Sequence, residues 1–531
     1  MKQRILALTL AMGCTGVIGE GTEDPLNEPP IDPMIEPELR CEEGGRRLVR
    51  RLTSSQYRQS LLAIFDGDPN VPDADVLTDP ARRGFRVDAQ EAVVRDLGAQ
   101  QLMNHAERVA AWAVETRLDR LSSCQNASDA SCRRAFIEEF GERIYRRPLE
   151  EDAVRAYDAL FQAELTFADG VEAVLATLLQ SPHFLYRSEI GEERGGRFEL
   201  DGYELATNLA YTLTDGPPDA QLLEVAAAGR LASPEDLSRE FDRLVETPAA
   251  QHNLAHFAEA WLEVEDLPGR AKDESEIAFG AEIREDMLEE TRRLYLDVFA
   301  SGGGLSELFG ADHTFVNDRL RQHYGMGGSS GEELTRTELP ADRPRGVLGH
   351  GSLLSRHALA FSSSPVMRGF FVRERLFCEE LPSPPAGVDT NIIPIEGSML
   401  TTRERYREHS VNNACNGCHS LMDPIGFAFE HYDAFGRRRE HEHGTPIDAT
   451  GSILREGEED IPLDGVDSLS AFLAESDKVR HCYADYVAYY AYGVEGCGAA
   501  EIEEAALEAG GGLRDVLRAT VLAEYFRSRS E

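Results

Sequence analysis

Apolar residues recur at steps of three and four along most of this chain, and that period predicts helices. Tyr57, Leu61, Leu62 and Phe65 form one such face, entered through Thr53 or Ser54 as an N-cap. A second runs from Ala89 to Glu115, with Leu97, Leu102, Ala106, Val109 and Trp112 inward. Phe136, Phe140, Ile144 and Tyr145 make a third, broken by Arg146-Arg147-Pro148-Leu149. Tyr157, Leu160 and Phe161, then Val171, Val174, Leu175, Leu178 and Leu179, carry the pattern to Ser181-Pro182-His183-Phe184-Leu185-Tyr186. The reading stays helical from Leu200 to Tyr324, where Arg284 to Phe299 is stopped by Gly302-Gly303-Gly304. Thr402 to His409 and a cap over Leu469–Leu473, Val479–Tyr492 and Glu501–Phe526 complete the set. The fold class is mainly α, in several helical segments, and no repeat has a constant period.

The two ends of the apolar scale mark the boundaries. Lys2 and Arg4 followed by Ile5 to Met12 read as an export signal over residues 1–13. Ala11-Met12-Gly13-Cys14 resembles the lipobox of bacterial lipoproteins, with Ala11 where Leu is usual, so Cys14 is the expected lipidation site and membrane anchor. Residues 14–40, rich in Pro and acidic side chains, read as an extended tether. Helical segments are expected over 41–120, 124–192 and 197–327, a C-x-x-C-H segment over 345–445 and a C-terminal cap over 460–529. No other apolar run approaches the ~20 residues of a membrane span. Asp and Glu number 95 against 54 Lys and Arg, a net charge of -41. That charge argues against nucleic acid or an anionic lipid surface as partner; it suits a solvated acidic exterior, and leaves room for a cationic redox protein.

The candidate chemistry lies in Cys415-Asn416-Gly417-Cys418-His419. On a helix, two thiols three residues apart share a face, where they can meet the two vinyl groups of one haem, and the adjoining imidazole can meet its iron. The competing readings are a redox dithiol, which wants a βαβ setting, half of a zinc site, which wants a second ligand pair, and a structural disulfide. Beyond Cys14 and this pair, Cys124 with Cys132 and Cys482 with Cys497 are the expected bridges, leaving Cys41 and Cys378. His183 reads as a packed or capping imidazole. His252 and His256, spaced H-x-x-x-H with Glu259 nearby, have no evident third ligand.

Several stretches give a wider resemblance: Arg51-Leu52-Thr53 with Tyr57 and Leu61; Tyr145 to Leu149; Leu179 to Tyr186; Thr314-Phe315-Val316-Asn317 with Tyr324-Gly325; Ser364-Pro365-Val366 with Arg368-Gly369; and Cys415 to Phe427 with Glu430 and Asp433. On these the chain resembles a family of large exported bacterial proteins built from consecutive domains of unknown function, with a cytochrome c-like C-x-x-C-H near the C-terminus. It departs in having only two adjacent prolines, Pro384 and Pro385, after Cys378, where a longer run is common. The resemblance implies one covalent haem c on Cys415, Cys418 and His419, and no settled activity.

A haem on His419 needs either a second axial ligand for electron transfer or an open site for substrate. Met422 follows His419 too closely to cross the porphyrin. The first choice of distal ligand is Met399, with Met367, His431, His441, His443 and His481 as alternatives; Arg368 is a candidate partner for a haem propionate. The expected function is that of an exported haem c protein with an electron-transfer or oxidoreductase role. The alternative is a non-haem surface lipoprotein binding glycan or protein, with Cys415 and Cys418 bridged.

Overall fold

The computed structural model describes residues 47–530, except 74–76, 125, 276, 342, 382–398, 412, 456 and 458. The expected export signal and tether, with Cys14, Cys41, Pro384 and Pro385, lie outside the described residues. Strand β1 (Leu48–Arg51) leads into α1 (Ser54–Ile64) through a capping box: Thr53 accepts from the backbone of Gln56, and the Gln56 side chain accepts from the Thr53 backbone. Then follow α2 (Asp96–Leu121), α3 (Ala130–Tyr145), α4 (Glu151–Gln162) and α5 (Phe167–Gln180). Strand β2 (Tyr186–Glu189) returns antiparallel to β1, pairing Arg51 with Tyr186.

The second helix starts later than its apolar spacing predicts. Asp88 accepts the backbone N–H groups of Gln90 and Glu91, and Ala89 donates to the carbonyl of Gly493, so these donors are used outside a helix. Leu97, in the first turn of the helix, is 69% exposed, and the buried face begins at Leu102.

Two apolar cores result. The first joins α1 to α5 through Leu52, Tyr57, Phe136, Phe140, Val171 and Leu178, so the segments 41–120 and 124–192 share one interior. The second runs from Leu200 to Phe526 and takes in Phe85 from the N-terminal half. It is built from α6 (Gly202–Thr214), α7 (Pro248–Trp261), α8 (Ala281–Ser301), α9 (Pro365–Phe371), α11 (Asn413–Gly426), α12 (Gly465–Glu475), α13 (Asp477–Tyr492), α14 (Ala499–Ala509) and α15 (Leu513–Leu522), with shorter helices between; α10 (Thr402–Val411) packs on α11 beside it. Strands are few, in two- and three-stranded ribbons, so the protein is mainly α. Among the described residues, no helix is long and apolar enough to cross a membrane.

The arginine-rich motifs are internal clamps. Arg146 sits at the left-handed C-cap of α3 and donates to the carbonyls of His183, Phe184 and Tyr186, which ties Tyr145–Leu149 to Ser181–Tyr186. The ring of His183 lies on Tyr145, centroids 4.9 Å apart. Glu189, 1% exposed, pairs with Arg50 at 3.3 Å and with Arg529 near the C-terminus. Burial by itself would raise its pKa, but Arg529, Arg50 and Arg187 outweigh that and hold it down at about 2.

Two disulfides join described residues. Cys124 bonds Cys132, and Cys378 bonds Cys482. The pairing of Cys482 with Cys497 expected from their spacing is therefore corrected: α13 packs against the turn after α9 and brings Cys482 to Cys378, whose Cα is 5.5 Å away. Cys497 is disulfide-bonded too, but not to Cys482.

Candidate functional site

The C-x-x-C-H lies on α11, which the sequence supports with Ala414, Met422 and Ile425 despite Pro424 inside the helix. The buried side of that helix rests on α9 with almost no space between the backbones. A Cβ on Gly369 would come within 2.0 Å of the Met422 carbonyl, and one on Gly426 within 1.9 Å of the Pro365 carbonyl. On the other side, a Cβ on Gly451 would lie 1.9 Å from the Pro424 carbonyl. Glycine at these three positions is what lets the helix be wedged. Ser364 caps α9 by accepting from the backbone of Met367, and Pro365 occupies its first turn. The Ser-Pro-Val-Met-Arg-Gly motif thus makes a seat for α11.

At the N-terminal side of α11, Cys415, Cys418 and His419 are half-buried, and neither cysteine is in a disulfide. The imidazole Nδ1 of His419 lies 3.1 Å from Oδ1 of Asp423, one turn on. His419 has 20% of its side chain exposed and Asp423 9%. Tyr406 of α10 is buried close by. Its phenol is pushed upward, first by burial and in part by the charges of Glu430 and Asp423, against a hydrogen bond to Ser364. The guanidinium of Arg403 covers the ring of Phe427 at 4.1 Å, and Thr402 is held by Glu442, with N···Oε2 2.6 Å.

Arg368 is placed differently from the expected propionate contact. It is fully buried, and its two terminal nitrogens donate to the carbonyls of Phe429, Tyr432, Leu354 and Asp433 at 2.9–3.0 Å. Burial, with Arg439 adding to it against the pull of Glu430, lowers its pKa to about 10. A guanidinium committed to four carbonyls is a structural clamp. Glu430 and Asp433, both in the motif, serve the same turn. Glu430 accepts from Ser363 and Arg439, while Asp433 accepts from the backbones of Phe435 and Arg437. Phe427, Phe429, Tyr432 and Phe435, which follow the helix, are buried.

Met399 stands 69% exposed at the start of the described stretch that leads into α10. His431 Nδ1 donates to the Arg439 carbonyl, and His481 pairs with Glu503 on the C-terminal helices. His252 and His256 meet on α7 with their Nε2 atoms 3.0 Å apart. Among the described residues, no group of three or more His, Cys, Asp and Glu side chains is placed to hold a metal ion. The residue that sequence reasoning passed over is Asp423; its signal was a carboxylate four places after the histidine on one helix face.

Four family models match the chain in succession. They are PSD3 (protein of unknown function, DUF1587) over 50–115, PSD5 (DUF1595) over 132–189, PSD4 (DUF1592) over 200–326 and PSCyt3 (DUF1588) over 344–442. The chain belongs to the planctomycete-type family of multi-domain proteins built from these units. The C-x-x-C-H helix, its seat on α9 and Asp423 all fall within the PSCyt3 match, whose name carries a cytochrome label. No curated protein and no solved structure matches the chain.

Proposed function

We propose that this member of the family is an exported haem c-binding protein with an electron-transfer or oxidoreductase role. The observation that carries the reading is the set Cys415, Cys418 and His419 on one helix, with His419 oriented through Nδ1 by a buried carboxylate. These residues fit the group. Two thiols about one turn apart on a helix match a covalently held porphyrin, and an imidazole that donates from Nδ1 has Nε2 as its basic nitrogen for a metal. The bound haem would supply one-electron chemistry at iron. The protein's part is to hold the histidine in one tautomer, to fix its helix by backbone contact with α9, and to shield the carboxylate from water.

Export and a lipid anchor at Cys14 belong to this reading. Cysteines joined as Cys124–Cys132 and Cys378–Cys482 support it, because such bonds persist in oxidising compartments. The acidic surface suits docking of a cationic redox partner. Met399 is the proposed distal ligand. The alternative is a non-haem surface lipoprotein binding glycan or protein, with Cys415 and Cys418 bridged.

The test is the intact mass of the full chain matured in cells that possess the c-haem attachment machinery. The expected result is a gain of one haem, lost in Cys415→Ser/Cys418→Ser. A colourless product of unmodified mass overturns the reading.

A further inference from the structure

We infer that Asp423 is a positioning residue that makes His419 an electron-rich ligand and so holds a c-type haem toward its ferric state. This rests on the haem reading above and adds to it a direction of redox tuning. Three observations carry it.

The first is the hydrogen bond, Nδ1 to Oδ1 at 3.1 Å between residues one helical turn apart. A ligating histidine usually passes its second N–H to a carboxylate, a backbone carbonyl or water; of these the carboxylate draws the proton furthest and leaves the most charge on the ring. The second is burial. With 9% of its side chain exposed, Asp423 acts through a medium of lower dielectric than water, where a charge–dipole interaction keeps its strength. The third is rigidity. The carbonyls before and after Asp423, those of Met422 and Pro424, are the ones pressed against Gly369 and Gly451. The backbone that carries the carboxylate is therefore held from both sides, which fixes its Cα relative to that of His419 one turn earlier.

An imidazole of greater basicity stabilises the higher oxidation state of the metal it binds. The arrangement thus favours a low-potential haem, suited to giving up an electron.

The experiment compares the full-length holoprotein with Asp423→Asn, which keeps shape and an acceptor oxygen but removes the charge, and with Asp423→Glu, which restores it. Covalent haem content is measured first, then the midpoint potential by spectroelectrochemical titration. The expected result is equal haem content and an Asn variant in which the ferrous-to-ferric ratio at fixed potential rises at least tenfold, about 59 mV for one electron, with the Glu variant moving back toward the wild type. Equal haem and a ratio changed less than twofold overturns this inference and leaves the haem reading standing. A wild type that takes up no haem overturns both. Should the Asn variant fail to mature, ¹⁵N shifts of His419 in the wild-type apoprotein decide: a proton on Nδ1 is expected, and a proton on Nε2 with bare Nδ1 overturns the inference.

Discussion

Cys378 is bonded to Cys482 across 104 residues of sequence, and the loop so closed contains the whole C-x-x-C-H helix together with its seat's C-terminal neighbours. A crosslink over ~100 residues removes about 4.7 kcal/mol of chain entropy from the unfolded state in the ideal case, and native disulfides typically deliver 2–4 kcal/mol. The double variant Cys378→Ser/Cys482→Ser is expected to lose roughly 2–4 kcal/mol of stability. Guanidinium unfolding checks it; an unchanged midpoint would show that the α13 packing holds this loop without the bond.

Glu189 gives a pH prediction. Its pKa falls from the ordinary carboxylate value to about 2 in the fold, so its stabilising contribution is complete above pH ~4.5 and drains away as pH drops toward 2. Glu189→Gln leaves Arg50 and Arg529 without their shared carboxylate. A loss of about 3–5 kcal/mol at pH 7 is expected, as for a broken buried pair. The difference between wild type and variant should shrink between pH 4.5 and 2, measured as thermal midpoints across that range. A constant difference would count against it.

The seat of α11 is tested by adding single methyl groups. Gly369→Ala and Gly426→Ala each place a Cβ about 2 Å from a backbone carbonyl of the facing helix, where no side-chain rotation gives relief. Each is expected to cost at least about 1–3 kcal/mol, the usual range for overpacking. Gly417→Ala, which has open space around its Cβ, is the control and should change the melting temperature little. Equal melting temperatures for all three would mean that the two helices part easily.

Arg368→Lys preserves charge but offers one ammonium where a planar fork served four carbonyls. At least one buried acceptor loses its partner, at about 1–3 kcal/mol each. Chemical denaturation measures the loss. Haem content per folded molecule should stay at the wild-type level, because the guanidinium is engaged inside the protein; selective loss of haem from a stably folded variant would restore the propionate role.

Much of this protein was already determined by the one-dimensional pattern. Three-and-four spacing fixed a mainly helical fold, and Thr53 marked a helix start because a side-chain oxygen satisfies amides that a new helix leaves open. The C-x-x-C-H spacing put two thiols and an imidazole within about one turn, and α11 carries them so. Tertiary structure decided what local sequence could not. Ala89–Arg95 carries apolar residues at helical steps, yet Asp88 and the distant Gly493 claim its amides. Cys482 is nearer Cys497 in the chain but faces Cys378 in space. Arg368 looks like a ligand-binding cation until the four carbonyls around it are seen, and the seat of α11 appears only where Gly369 and Gly451 meet its carbonyls. Propensity and capping act within a turn or two, so a single chain displays them. Pairing, burial and close backbone approach depend on which segments meet, and that is settled only when the two cores form.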